Sequence, residues 1–375
     1  MNTHDTAPKL TPVRAGFIPL IDCAGLVVAK EKGFAQAQGI DLQLYKDVSW
    51  ANIRDHINIG TYDIAHMLAA MPIAANLGIG HVKVPMVAPL ALSSGGNAIT
   101  LSQTLYNELA RAGANDLNDP KVSAQALATV IGHRRAKDQD QLVFGMVFPF
   151  SCHNYQLRYW MAEAGIDPDQ DVQLVVIPPA YMVKSLQTEQ IDGFCVGEPW
   201  NSMAAQQGVG QILMPTTDVW PLGPEKVLGM QAGWANGNSD TLAAVLRALD
   251  EAARWTNDRE NQTELAQILA HPQYLNVPSQ IVNMALNSGV SFYGDGVIAS
   301  HDEALWLYAQ MVRWGQTLLS TADQDVVRQT YRPDILFAAL GKQTSQATIP
   351  NITYDFNPND IEGYIQNLPV KMPKK

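Results

Sequence analysis

Short apolar runs alternate along the chain with longer stretches whose apolar residues recur every three or four positions. By that period, Val13–Pro19 reads as a strand, Cys23–Gln38 as a helix, Asp41–Tyr45 as a strand and Trp50–Ile59 as a helix. Tyr62–Ala65, a helical stretch from Pro72, the apolar run Val84–Leu92 and Ala98–Ser102 continue the series. A second series begins with a strand at Leu142–Phe148. It runs through a helix at His153–Ala164, a strand at Val172–Ile177, a helix ending at Thr188 and a strand at Gly193–Val196. Such alternation predicts an α/β fold of parallel strands covered by helices. Val227–Ala232 adds one more strand. Helical patterns then run through Leu340, including Asp240–Asn257 and Asp302–Leu319, with no third sheet expected.

Two similar series imply two lobes. In the economical arrangement the chain leaves the first lobe near residues 93–97, builds the second, and returns near 216–222. Residues 1–96 are then the first part of lobe I and 97–220 are lobe II. Residues 221–375 complete lobe I and add a helical region and a C-terminal strap. Two crossings make a hinge. Thr344–Lys375, rich in Asn, Pro and Lys, reads as an extended strap, and Asn107–Gln141 as a solvated surface insertion.

Composition narrows the function classes. With 47% hydrophobic and 16% charged residues over 375 positions, the chain is globular rather than disordered or coiled-coil. A net charge of −11 repels phosphate backbones and anionic headgroups, so neither direct nucleic-acid binding nor a membrane surface is expected. No apolar run is long enough to span a bilayer. Cys23, Cys152 and Cys195 are odd in number and lack C-x-x-C spacing, which fits a reducing compartment and buried small side chains. Met1–Pro12 carries no basic, apolar and small-residue export pattern. The expected location is the cytoplasm if the chain is complete, and the periplasm if a leader has been removed.

Enzyme signatures fail in turn. Gly78-Ile79-Gly80 has Lys83 where a dinucleotide fingerprint needs its third glycine. Asp167–Asp171 opens like a calcium loop, but Val172 and Pro178 stand where glycine and glutamate belong. There is no G-x-S-x-G elbow. Cys152 and His153 are neighbours in sequence, unlike a catalytic pair assembled by the fold. No catalytic residue, metal or cofactor is expected.

What remains is a set of polar and aromatic residues where strands end and helices begin, the usual ligand edge of open α/β sheets. Ser49-Trp50 opens a helix, Gly95-Gly96-Asn97 marks the first crossing, and Ser151-Cys152-His153-Asn154 opens another helix. Gly197-Glu198-Pro199-Trp200 follows a strand, and Pro224-Glu225-Lys226-Val227 lies at the second crossing. Hydrogen-bond donors dominate, which suits a small oxyanion.

The same segments carry a resemblance. D-G-F-C-V-G-E-P-W at Asp192–Trp200 and H-N-Y-x-L-R-Y-W at His153–Trp160 are its most specific motifs, within a match over roughly residues 13–320. The chain resembles the nitrate/bicarbonate substrate-binding proteins of ABC transporters. The resemblance implies a two-lobed periplasmic-binding-protein fold of the second type, with ligand in the cleft. It places anion contacts on Trp50, Asn97, His153, Gly197 and Lys226, Gly197 acting through its backbone.

Nitrate only accepts hydrogen bonds, whereas bicarbonate also donates one and favours an acceptor opposite it, so Lys226 points to nitrate or nitrite. At an effective dielectric near 20, an ammonium about 3.5 Å from an anion attracts it by roughly 5 kcal/mol before desolvation. Glu225 would blunt this if it turned inward. Within the family, the start of the chain is similar to the cytoplasmic nitrate/nitrite sensor branch (NasS-like). That likeness implies capture of an RNA-binding antiterminator of response-regulator type and its release when anion binds. The alternative is an extracytoplasmic component of a nitrate, or less favoured bicarbonate, transporter. A third expectation, the related enzymes of thiamine-pyrimidine synthesis, lacks a cofactor-phosphate loop.

Overall fold

The computed structural model describes residues 9–113, 116–221, 224–294, 299–342 and 356–370. Its eleven strands are β1 (Thr11–Phe17), β2 (Ile40–Lys46), β3 (Ile64–Leu68), β4 (Met86–Gly95), β5 (Asn97–Ser102), β6 (Val143–Met146), β7 (Gln173–Val176), β8 (Gly193–Gly197), β9 (Gly210–Pro215), β10 (Pro224–Gln231) and β11 (Val290–Phe292). They form two sheets. The first has the order β11-β4-β10-β3-β1-β2 and the second β7-β6-β8-β5-β9.

In each sheet three neighbouring strands pair in parallel, β2-β1-β3 and β7-β6-β8, and the remaining ladders are antiparallel, so that β10 and β11 run against the other strands of the first sheet and β5 against those of the second. Helices cover the sheets, as the alternation implies for strands that read as continuous apolar runs. Every residue of β3 and β4 is buried.

One residue separates the sheets at the first crossing. β4 ends at Gly95 and β5 starts at Asn97, with Gly95 and Gly96 at φ of 66° and 79°. A Cβ on Gly95 would lie 2.6 Å from the Gly289 carbonyl oxygen, and one on Gly96 would lie 2.9 Å from Val290 Cβ. Both the left-handed backbone and the close approach demand glycine here. The chain returns through the turn Thr216–Asp218 into β10.

Four expectations are corrected. The single helix expected over Cys23–Gln38 is a short turn at Ile21–Cys23 and two helices, Ala24–Glu31 and Phe34–Ala37, broken by Gly33 at φ 74°. Asn107–Gln141 is no loose insertion. Its described residues fall mainly in the helices Gln103–Arg111 and Pro120–Ala136, whose Leu105, Leu109, Ala124, Leu127 and Val130 join the core. There the Trp160 indole donates to the Pro120 carbonyl and to Ser123 Oγ at 3.1 Å each. The charged residues Asp116, Asp119, Arg135, Lys137 and Asp138 are exposed at or beyond the ends of the second helix.

The tail is also tied down. Within Thr344–Lys375, residues 344–355 and 371–375 lie outside the described residues. Ile361–Asn367 is a helix, and its Tyr364 hydroxyl accepts from the Trp306 indole at 3.0 Å. Finally, β9 and the three-residue β11 were not expected. β9 is an edge strand and β11 only a short extension of the first sheet.

Candidate functional site

One helix from each lobe begins beside Lys226. In lobe I, Ser49 caps the helix Trp50–Asn58 by accepting from the Asn52 N–H at 3.2 Å. Asp47 holds the same turn by accepting from Asn52 Nδ2 at 3.2 Å and from the Tyr62 hydroxyl at 2.8 Å. These bonds fix Trp50 as the first helical residue. Its side chain is fully buried, and its ring centroid lies 5.3 Å from that of His66.

In lobe II, Ser151 caps the helix Cys152–Glu163 by accepting from the Asn154 N–H at 3.1 Å and donating to the Phe148 carbonyl at 2.6 Å. His153 therefore sits in the first turn, where free N–H groups and the helix dipole favour negative charge.

β5 and β8 bring Asn97 and Gly197 face to face. The Glu198 N–H donates to the Gly96 carbonyl at 3.0 Å, which makes 96/198 a hydrogen-bonded pair. The next pair, 97/197, is then non-hydrogen-bonded, and its backbone groups point away from the partner strand. The Gly197 N–H is thereby turned away from β5. A Cβ at Gly197 would lie 3.3 Å from Asn97 Oδ1, and 3.5 Å from the Leu20 methyls of the other lobe, an ordinary contact distance. Across that contact the Ile21 N–H donates to the Glu198 carbonyl at 2.9 Å.

Lys226 lies on β10 between Leu68 of β3 and Ser93 of β4. Its ammonium is 5.7 Å from the Trp50 ring centroid, 2.8 Å from Asp22 Oδ2 and 3.4 Å from Glu225 Oε2. Consecutive strand residues ordinarily point to opposite faces. Here the β10–β4 register shifts on both sides of Lys226, and Glu225 and Lys226 are both fully buried with their charged ends together. A bulge re-aims side chains in this way.

This corrects the expectation of a free cation. Lys226 is already neutralised by Asp22, so the attraction of roughly 5 kcal/mol expected for an incoming anion is opposed by a carboxylate at similar range.

The protonation states follow from burial and neighbours. Burial pushes Asp22 up, but Lys226 and His66 overcome it and hold the carboxyl well below the usual range. His66 Nδ1 accepts from the Ile18 N–H at 3.5 Å, which leaves the proton on Nε2, 2.9 Å from Asp22 Oδ1. Burial also lowers His66, and it lowers His153 strongly, helped there by Lys226. Both imidazoles are neutral. For Lys226, burial acts downward, but Asp22 and Glu225 outweigh it and raise it. Burial lifts Glu225 to about 7 against the opposing pull of Lys226 and of its hydrogen bond with Asn97.

All five expected site residues are buried at this junction or line its backbone. Asn97 donates to Gln156 Oε1 at 3.1 Å. Several buried atoms have no protein partner: Trp50 Nε1, both ring nitrogens of His153, Asn97 Oδ1, Ser93 Oγ and Glu225 Oε1. Leaving a buried polar group unpaired costs about 1–3 kcal/mol, and gathering several in one place is the mark of a ligand site.

A model of the NMT1-like family matches residues 6–270. The chain belongs to the NMT1-like family. It is 38% identical to the nitrate import ATP-binding protein NrtC of Synechocystis and 35% identical to the bicarbonate transport ATP-binding protein CmpC of Synechococcus elongatus. Each comparison covers 95% of this chain, but only 55% and 54% of those proteins. The chain thus spans about half the length of these relatives. The nitrate/nitrite binding protein NrtA of Nostoc is 32% identical over 97% of this chain and 88% of its own. The crystal structure of the periplasmic nitrate-binding protein NrtA from Synechocystis superposes with a TM-score of 0.83 at 28% identity, covering 97% of this chain and all of the other. The fold is the two-lobed periplasmic-binding-protein fold.

Sequence reasoning on this NMT1-like chain missed Asp22, His66 and Gln156, and raised the inward turn of Glu225 only as a condition, which the structure meets. Two had a signal. Asp22 is the single charge in the apolar run Ile18–Ala29, and His66 interrupts the otherwise apolar Ile64–Leu68; a lone ionisable residue in such a run must find a partner. Gln156 lies three residues after His153, hence on the same helix face.

Proposed function

We propose that this chain binds one small planar monoanion of the nitrate class between its lobes and delivers it to a membrane transporter. The observation that carries this reading is the set of buried polar groups without protein partners, contributed by both lobes around Lys226. Trp50, His153 and Lys226 supply donors, Gly197 a backbone N–H, and Asn97 and Gln156 a hydrogen-bonded amide pair. No bond-making step belongs to this function. A ligand gripped by both lobes stabilises the closed form in proportion to its preference for that form, and the closed form is what a transporter would recognise.

The named relatives are transport proteins, which supports delivery ahead of the expected cytoplasmic sensor. For the NrtA of Synechocystis the place of action is the periplasm, and an extracytoplasmic site is the matching proposal here. The sensor reading requires an RNA-binding antiterminator that co-purifies without anion and is released by it. Bicarbonate is the second ligand reading. Glu225 favours it, because its unpartnered Oε1 offers an acceptor to the bicarbonate hydroxyl.

Isothermal titration with nitrate, nitrite, bicarbonate and sulfate in chloride-free buffer tests the proposal. Saturable binding of nitrate or nitrite at one site per chain is the expected result. Binding of bicarbonate alone would transfer the function to the second reading, and silence toward all four anions would overturn both.

A further inference from the structure

The fixed charges around Lys226 already balance. Asp22 neutralises it at 2.8 Å, and neither side chain is more than 4% exposed. The Glu225 carboxylate, 3.4 Å from the same ammonium and fully buried, is therefore surplus. The other groups facing it cannot compensate. His66 on β3 and His153 on the lobe II helix are held neutral, chiefly by burial. The Cys152 and Cys195 thiols also interact with Glu225, and burial keeps both protonated. Asn97 brings it only an amide dipole. A monoanion entering this sealed pocket beside an ionised Glu225 would leave two like charges against one already neutralised cation, and like charges sharing a buried site do not both stay ionised.

Resting on the anion-binding reading above, we infer that the pocket takes up its anion together with one proton, carried by the Glu225 carboxyl. Nitrate, a conjugate base too weak to hold a proton, must recruit it from solvent: Glu225–COO⁻ + H⁺ + NO₃⁻ gives Glu225–COOH beside NO₃⁻. The neutral carboxyl then donates a hydrogen bond to the anion. Glu225 thus ties nitrate uptake to pH. Burial independently places its titration at about 7.

The test is nitrate titration calorimetry of the whole protein at pH 8.5 and 5.5, in pairs of chloride-free buffers with unlike ionisation enthalpies. The buffer dependence of the heat counts protons. Close to one proton per nitrate is expected at pH 8.5 and close to none at pH 5.5, with the nitrate Kd rising up to tenfold per pH unit above about 8. In Glu225→Gln the uptake falls to near zero and the pH slope flattens. Should that variant fail to fold, the wild-type slope and proton count decide.

Saturable nitrate binding without proton uptake, or uptake unchanged in Glu225→Gln, overturns this inference and leaves the proposed function standing. Absence of nitrate binding at either pH removes both.

Discussion

The Lys226 ammonium is held 2.8 Å from the Asp22 carboxylate in a cleft where neither side chain is more than 4% exposed. A buried pair of this kind is weak evidence for stability gained, but breaking it from one side is costly, because the remaining charge has no partner. Lys226→Met should destabilise the protein by about 3–5 kcal/mol, and the double variant Asp22→Asn/Lys226→Met should recover most of that loss. Urea denaturation of the wild type, both singles and the double measures the coupling. Equal stability of Lys226→Met and the double variant would refute it.

Trp50 and His153 have no protein partner for their ring nitrogens, so removing those groups breaks no bond within the fold. Trp50→Phe should retain packing and stability while weakening nitrate binding. His153→Ala should weaken it by about 1.5–3 kcal/mol, the range for a hydrogen bond to a charged group. Calorimetric affinity set beside thermal unfolding distinguishes a ligand contact from a packing role: unchanged affinity in both variants would remove these residues from the site.

Glu303 sits in the capping box of the helix His301–Arg313, where its Oε2 accepts from the Ser300 N–H at 2.8 Å. Burial lifts it to about 7 against those bonds. A carboxyl raised in the folded state binds its proton more tightly there than in the unfolded chain. Its stabilisation is therefore complete below about pH 4.3 and is lost as pH rises through about 7. Glu198 follows the same course. Asp22, lowered in the folded state, works in the opposite sense and gives up its contribution as pH falls below about 4. Stability should decline between pH 5 and 8, and Glu303→Gln should flatten that decline by up to about 3 kcal/mol with nitrate affinity unchanged. Denaturation midpoints across that range check it.

Gly96→Ala should cost about 1–3 kcal/mol, since φ is 79° and the new Cβ would meet Val290 Cβ at 2.9 Å. Thermal unfolding reads the loss, and a variant as stable as wild type would show that the crossing can relax.

Much of the fold was legible. Strands such as Asp41–Tyr45 and Gly193–Val196 were placed within a residue or two of β2 and β8, because a buried strand writes its hydrophobic period into a few consecutive positions. The helix expected over Cys23–Gln38 was mistaken because Gly33 interrupts an apolar pattern that otherwise continues through it. β9 holds only the short apolar run Ile212–Met214, too brief to separate a strand from a helix by period, and it is pairing with β5 that makes it a strand. In the site, Trp50 and His153 were visible as residues beside Ser caps, a local signal.

The charge balance at Lys226 was not local. Asp22 and Lys226 stand 204 residues apart in the sequence, and nothing in either segment names the other. Alternation along a strand also places Glu225 on the face opposite Lys226, and only the shifted β10–β4 register turns both carboxylate and ammonium into the cleft. The amino-acid order settled which segments are strands, which are helices and which helix starts carry donors, because those depend on neighbours within a turn or two. Tertiary packing alone decided that the apparent cation is already paired and that a second carboxylate stands beside it, because both follow from distances across the sheet and not from spacing along the chain.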